Sequence, residues 1–367
     1  MIANPILGVF FHWLGGLASG SFYVPYKGVK KWAWEVYWLA GGFFSWIIMP
    51  WVVALIMTPH LMQVLSDQSV STLFWTFFWG AMWGFGGLTF GLTLRYLGMS
   101  LGMAVALGFT ALFGTYMPPI FNGTLGDKMQ TIPGQIILIG MIFCLIGIAM
   151  AASAGISKER EMSEEQKHKS IKEFDLKKGL LVAVFSGIMS SCMAFGLSSG
   201  NPIAESAMHY GAAKMWSGFP KLIVVMAGGF VTNFIWCMYL LLKNKTLHQY
   251  SGRIESNDND VALRQNGGSK RRIPLFANYF FSALAGTVWY FQYFFYTMGE
   301  SQMGKYQFSS WTLHMASIII FSSLWGIYFK EWNNTSGLTK FLLALALFTL
   351  VGSTIILGYA NLLGTHI

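Results

Sequence analysis

The sequence predicts an all-α membrane protein with ten transmembrane helices, arranged as two inverted five-helix repeats. Three observations support this class: ten apolar stretches of bilayer length, basic residues concentrated in alternate gaps, and weak matches between the two halves. About 20 apolar residues in a helix cross the ~30 Å hydrocarbon core. The predicted spans are residues 5–25, 37–57, 72–94, 99–119, 134–155, 179–199, 216–242, 274–298, 309–329 and 339–360.

The composition fits a membrane protein and excludes several other classes. The chain has 367 residues, of which 54% are hydrophobic and 11% charged, whereas soluble domains carry roughly 25% charged residues. A net charge of +9 could suit a nucleic-acid partner, but the basic residues border the spans, so we expect none. Cys144, Cys192 and Cys237 lie within predicted spans without metal or disulfide spacing, so we expect small core side chains and no metal or cofactor.

The basic residues also predict the orientation. Twenty of the 24 Lys and Arg residues lie in the odd-numbered gaps between spans. Cytoplasmic loops carry the excess of Lys and Arg in membrane proteins. The odd gaps are therefore expected in the cytoplasm and both termini in the periplasm.

The two halves share weakly matching positions. Gly80 and Trp83 of the third span match Gly286 and Trp289 of the eighth at one constant offset. Further matches pair Gly8 with Gly179, Gly16 with Gly187, Ser19 with Ser190, and Gly147 with Gly352. Because each half has an odd number of spans, a second copy must enter the membrane from the opposite face. Inverted repeats of this kind build transporters, with the site where the halves meet.

The repeats define the expected domains. Residues 1–155 form the first five-helix repeat and residues 179–367 the second. The charged segment 156–178 is the cytoplasmic connector, and residues 243–273, rich in Ser, Asn and Gly, are expected to be a mobile cytoplasmic loop.

Two histidines fall inside predicted spans, His12 in the first and His314 in the ninth. Ionisable residues are costly inside a membrane and are functional candidates by default. An imidazole titrates near pH 6.5, so it can carry a proton between compartments. In the alternative interpretation, each histidine is neutral and bonded to a backbone carbonyl or a serine.

The eighth span carries a candidate sugar-binding face. Trp289, Gln292, Tyr293 and Tyr296 recur at spacings of three to four residues, along one side of a helix. An indole packs against the CH face of a sugar while an amide bonds its hydroxyls, and Trp83, at the repeat-related position, could form the opposite wall. The alternative is an aromatic core or interfacial belt.

Four charged residues border spans and are candidates for gating or anchoring. Arg95 ends the third span, and Glu205 and Glu331 flank others. Lys221 lies just inside the seventh span, where it either reaches the outer interface or pairs with Glu205.

The chain also resembles the bacterial L-rhamnose–proton symporter family. The resemblance rests on six blocks, which are GVFFH from Gly8, FYVPYKGVKKWAWE from Phe22, GAMWG from Gly80, GLTLRYLGMS from Gly91, WTLHM from Trp311 and KEWNN from Lys330. It implies the fold of the drug/metabolite transporter superfamily, in which ten helices form two inverted repeats.

The resemblance further implies proton-coupled uptake of L-rhamnose, and of related sugars such as L-lyxose, across the bacterial inner membrane. We expect His12 and His314 to couple protons, and Trp83, Trp289, Gln292, Tyr293 and Trp311 to bind substrate. The expected partners are L-rhamnose, protons and the lipid bilayer, with no obligate protein partner. A transporter or exporter of another small metabolite is the alternative. A membrane enzyme would need a catalytic constellation, and the sequence contains none.

Overall fold

A computed structural model describes residues 3–97, 99–161, 175–252 and 273–365. These residues form helices and no strand. The first half contains α1 (Pro5–Ser21), α2 (Tyr23–Tyr26), α3 (Trp34–Phe43), a π turn (Phe44–Ile48), α4 (Met49–Met57), α5 (Leu61–Ser66), α6 (Val70–Leu97), α7 (Met99–Phe121), α8 (Leu125–Met129) and α9 (Ile132–Glu161). The second half contains α10 (Leu176–Ser199), α11 (Asn201–His209), α12 (Phe219–Lys243), α13 (Leu275–Gln302), α14 (Ser310–Tyr328) and α15 (Gly337–Thr365), with short 3₁₀ turns at Leu247–Ser251 and Gly304–Ser309.

Seven helical stretches within the described residues are long and apolar enough to cross a bilayer. They correspond to the first, second, fifth, sixth, seventh, ninth and tenth predicted spans. The long helices α6, α7 and α13 fall outside this group, and α6 and α13 are rich in Gly, Trp and Tyr, which add little hydropathy. The structure thus supports an all-α membrane protein, while ten crossings remain a prediction. Residues 162–174 of the predicted connector and 253–272 of the predicted loop lie outside the described residues.

The second predicted span is interrupted by a widened turn. At this turn the Met49 N–H donates to the carbonyl of Phe44, five residues earlier, in place of the usual four. Pro50 follows, and a proline ring inside a helix clashes with the carbonyl four residues before it, here that of Trp46. The π turn accommodates this clash and contributes Trp46 to the core.

Helix contacts follow a recurring arrangement. The first helix, α1, packs against α13 and α14, and α10 packs in the same way against α6 and α7. The pairs α3–α13 and α6–α12 are also in contact, as are α9 and α15. A central core cluster includes residues of α12, α13 and α14.

Glycines allow the closest of these contacts. A Cβ on Gly80 would overlap the backbone of Val225 where α6 meets α12. At the matching position of the second half, a Cβ on Gly286 would overlap the backbone of Gly41 where α13 meets α3. Small residues let backbones approach in membrane helix pairs, so these two glycines serve equivalent contacts.

Substituting Gly80 with alanine is expected to lower the midpoint of thermal unfolding of the purified protein. The added methyl group would force α6 and α12 apart, at a cost on the order of 1–3 kcal/mol for overpacking. Gly87→Ala is the matched control in the same helix, because a Cβ there meets nothing within 4 Å. Equal midpoints for the two variants would contradict the close contact.

Candidate functional site

Glycines on one face of α1 bring this helix against α13 and α14. A Cβ at Gly15 would lie 2.8 Å from the backbone oxygen of Gln292 and 3.2 Å from Cε1 of His314. His12 lies three residues before Gly15 and four before Gly16, so it points toward the same neighbours. The local sequence therefore places a histidine where three helices meet.

His12 and His314 are both fully buried. Their ring centroids are 6.3 Å apart. The ring of Tyr296 contacts both imidazoles, at 5.2 Å from His12 and 5.3 Å from His314. Within the described residues, none of the four ring nitrogens has a hydrogen-bond partner. The bond to a carbonyl or a serine that the alternative interpretation expects is therefore not found among the described residues.

Trp83 and Trp289 lie together, as the repeat matches predict, but their rings contact each other directly. The centroids are 5.6 Å apart and the planes are tilted by 31°. Tyr293 packs on both indoles, at 6.1 Å from Trp83 and 5.4 Å from Trp289. The expected sugar gap between two walls is therefore closed in this conformation.

Gln292 and Trp311 are buried near this cluster and differ in their hydrogen bonding. The amide nitrogen of Gln292 has no hydrogen-bond partner among the described residues. The indole nitrogen of Trp311 donates to the carbonyl oxygen of Thr110 at 2.9 Å, and its ring lies 5.8 Å from that of Tyr296. Trp311 thus adjoins the histidine pair.

The sequence placed Tyr296 on the candidate sugar-binding face but did not indicate its contact with the histidines, and it gave no role to Trp46. The spacing of α13 places Tyr296 on the predicted face, and contact with both imidazoles makes it central. The ring of Trp46 packs edge-on against Trp83 at 6.4 Å and Trp289 at 5.7 Å. The sequence offers one signal for Trp46, which lies four residues before Pro50, where a proline disturbs the helix.

Two cavities adjoin the aromatic cluster. The larger has a volume of about 100 Å³ and reaches from Tyr296 and Trp311 to polar side chains at the ends of α7, α10 and α13. The smaller, about 10 Å³, lies between Tyr26, Trp46 and Trp289. One water needs roughly 10–15 Å³, so only the larger cavity has room for a small solute.

Lys221 forms an ion pair beside the larger cavity. Its ammonium lies 2.8 Å from Oε2 of Glu300, and the lysine is only 2% exposed. The ammonium also donates to Oδ1 of Asn201 at 3.2 Å. The predicted pairing with Glu205 is therefore wrong, and the lysine does not reach the interface. The pair joins α12 to α13, a contact that sequence spacing does not reveal.

The remaining charged candidates lie elsewhere. Glu331 is exposed and forms a 3.7 Å ion pair with Lys158, which fits an anchoring contact of small energy. Glu205 is exposed on α11. The side chain of Arg95 lies outside the described residues.

Lys128 lines the larger cavity, and partial burial lowers the pKa of its ammonium.

The described residues contain no group of three or more metal-ligating side chains. The three cysteines are buried and unpaired, as expected for small core side chains.

Apolar helices surrounding buried imidazoles, an aromatic cluster and a polar cavity define a multi-pass membrane protein with the features of a transporter. The family model described as "L-rhamnose-proton symport protein (RhaT)" matches residues 1–366. The chain is 36% identical to the L-rhamnose-proton symporters of Shigella sonnei, Shigella flexneri and Escherichia coli, over 98% of its own length and 97% of theirs. The chain therefore belongs to the L-rhamnose-proton symporter family, whose members are transporters and not enzymes.

Proposed function

We propose that this protein carries L-rhamnose into the cell together with a proton, by alternating access across the bacterial inner membrane. Full-length similarity to proteins named L-rhamnose-proton symporters supports the substrate pair. The observation that carries the mechanism is the contact of Tyr296 with both buried imidazoles, next to a cavity of about 100 Å³. Related sugars such as L-lyxose are further candidate substrates.

His12 and His314 are the proposed proton carriers. Imidazole has the one side chain whose unperturbed charge change lies between pH 5 and 8. Because the ring nitrogens have no partners among the described residues, a proton can bind without first breaking a protein hydrogen bond. At ~150 mV, the movement of one proton supplies about 3.5 kcal/mol, enough for a roughly 300-fold sugar gradient.

The sugar path is proposed to include Trp83, Trp289, Gln292, Tyr293 and Trp311. Aromatic rings suit the CH face and methyl group of L-rhamnose, and the unpartnered amide nitrogen of Gln292 suits a hydroxyl. The direct contact of Trp83 with Trp289 means that the two rings must separate for a sugar to pass. We propose that α6 and α13, which carry these rings, move apart during alternating access.

We further propose that the ten long helices form two inverted five-helix repeats, as in the drug/metabolite transporter superfamily. The equivalent contacts of α1 with α13 and α14, and of α10 with α6 and α7, support this arrangement. The matched glycines support it too, because Gly16 contacts α14 while Gly187 contacts α7, the equivalent pair of helices. Residues 1–155 and 179–367 are the proposed repeat units, joined by 156–178.

Both termini are proposed to lie in the periplasm, since most basic residues lie in the odd gaps. Tags at the two ends should both react with a membrane-impermeant reagent in intact spheroplasts, and a tag in the 243–273 loop should react only after lysis. Termini on opposite faces would contradict an even number of crossings and the inverted repeat.

His314→Gln should abolish accumulation of labelled L-rhamnose driven by an imposed pH gradient in membrane vesicles. Glutamine keeps a polar side chain but cannot carry a proton, so exchange of labelled for unlabelled sugar should continue. His209→Gln, at the exposed end of α11, is the matched control and should accumulate sugar normally. Unchanged accumulation in His314→Gln would remove this residue from proton coupling.

The same vesicles test the substrate. Wild-type vesicles that take up no L-rhamnose, with or without the gradient, would favour a transporter of another small metabolite.

A further inference from the structure

The larger cavity is lined by a set of polar groups that the aromatic substrate path does not use. Three carboxamides, one carboxylate, two hydroxyl side chains and one ammonium surround it, while Trp311 and Tyr296 lie on its apolar side. The polar residues are Asn122, Thr124, Lys128, Ser198, Asn201, Glu300 and Gln307. A few placed polar groups beside an apolar wall are the usual construction of a small-molecule site.

The carboxylate in this cavity is held in a fixed position. Lys221 donates to Oε2 of Glu300 at 2.8 Å and to Oδ1 of Asn201 at 3.2 Å. No described residue donates to the other oxygen, Oε1. The ion pair is neutral as a unit, and the carboxamides and hydroxyls of the wall can bond an uncharged ligand that carries hydroxyl groups. The further charge in the wall, the Lys128 ammonium, can donate to a hydroxyl oxygen of such a ligand. A carboxylate that accepts from a hydroxyl forms a short, charge-assisted hydrogen bond.

The cavity also adjoins the histidine pair through one residue. Tyr296 lines the cavity, and its ring packs against His12 and His314. A ligand in the cavity would therefore touch the ring that contacts both imidazoles.

We propose that this cavity is a sugar-binding vestibule, separate from the closed Trp83–Trp289 contact, in which Glu300 accepts a hydrogen bond from a hydroxyl of an uncharged deoxy sugar. The inference rests on the proposed function for the identity of the sugar. Trp311 and Tyr296 pack against the apolar face of the ligand, and Gln307 lines the same cavity. The sugar occupies this vestibule before the two tryptophans separate.

Cysteine modification at the cavity wall tests this proposal on the full-length protein in detergent. Gln307 is exposed, and the native cysteines are buried, so Gln307→Cys offers one accessible thiol. Lys305→Cys is the matched control, because Lys305 is exposed in the same short turn and does not line the cavity. Each variant is treated with thiosulfonates of increasing size, and equilibrium binding of labelled L-rhamnose is measured.

A bulky adduct at position 307 should weaken L-rhamnose binding about tenfold or more relative to a methyl-sized adduct there, because it would occupy part of a cavity of about 100 Å³. The two adducts are compared at the same position because Gln307→Cys itself removes an amide from the cavity wall. Any adduct at position 305 should leave binding at the level of unmodified Lys305→Cys. Unweakened binding with the bulky adduct at 307 would overturn the vestibule. If the unmodified protein transports L-rhamnose with protons, that result leaves the proposed function standing. Absence of both binding and transport in the wild-type protein would instead overturn the proposed function.

Glu300→Gln gives a second measurement on the same proposal. It removes the charged acceptor and should weaken L-rhamnose binding about tenfold, and unchanged binding would exclude Glu300 as the hydroxyl acceptor. Because the substitution also leaves the buried Lys221 ammonium without its carboxylate, folding is checked by thermal unfolding. If this variant does not fold, the adduct series at position 307 decides the proposal alone.

Discussion

The burial of two imidazoles without polar partners is the constraint around which the centre of this protein is built. Buried polar groups are normally hydrogen-bonded, because an unpaired one costs free energy. His12 and His314 nevertheless lie side by side at the junction of α1, α13 and α14. Packing must offset the free energy lost there, and the glycine contacts of α1 provide close packing at this junction. A proton would add charge to a buried ring, so a proton carrier at this junction requires a state in which water or a polar group reaches the imidazoles.

Aromatic rings connect this pair to the remainder of the centre. Tyr296 contacts both imidazoles, Tyr293 lies between His314 and Trp83, and Trp46 packs against the two tryptophans. A change in the charge of either histidine therefore acts on rings that border the cavity and the closed tryptophan contact. Proton binding and sugar passage can be coupled through direct packing, without a long chain of intermediates. This coupling is part of the proposed function.

The sequence predicts the helices well because hydropathy over some 20 residues is a strong local signal. It also predicts which residues are unusual: histidines inside spans, and a tryptophan–amide face on α13. The sequence does not predict that His12 packs beside His314 or that Lys221 pairs with Glu300, because these contacts join helices that are distant in the chain. Trp46 was missed because its position depends on the π turn before Pro50. The contact between Trp83 and Trp289 depends on the conformation, which helical spacing does not specify.

The most direct measurement is the change in external pH when L-rhamnose is added to lightly buffered, de-energised proteoliposomes. Wild-type protein should take up protons with the sugar and make the medium more alkaline. A variant carrying both His12→Gln and His314→Gln should give no pH change while still exchanging labelled L-rhamnose across the membrane. An equal rise in pH with this double variant would contradict the account, because the proton would then travel by groups other than the buried imidazoles.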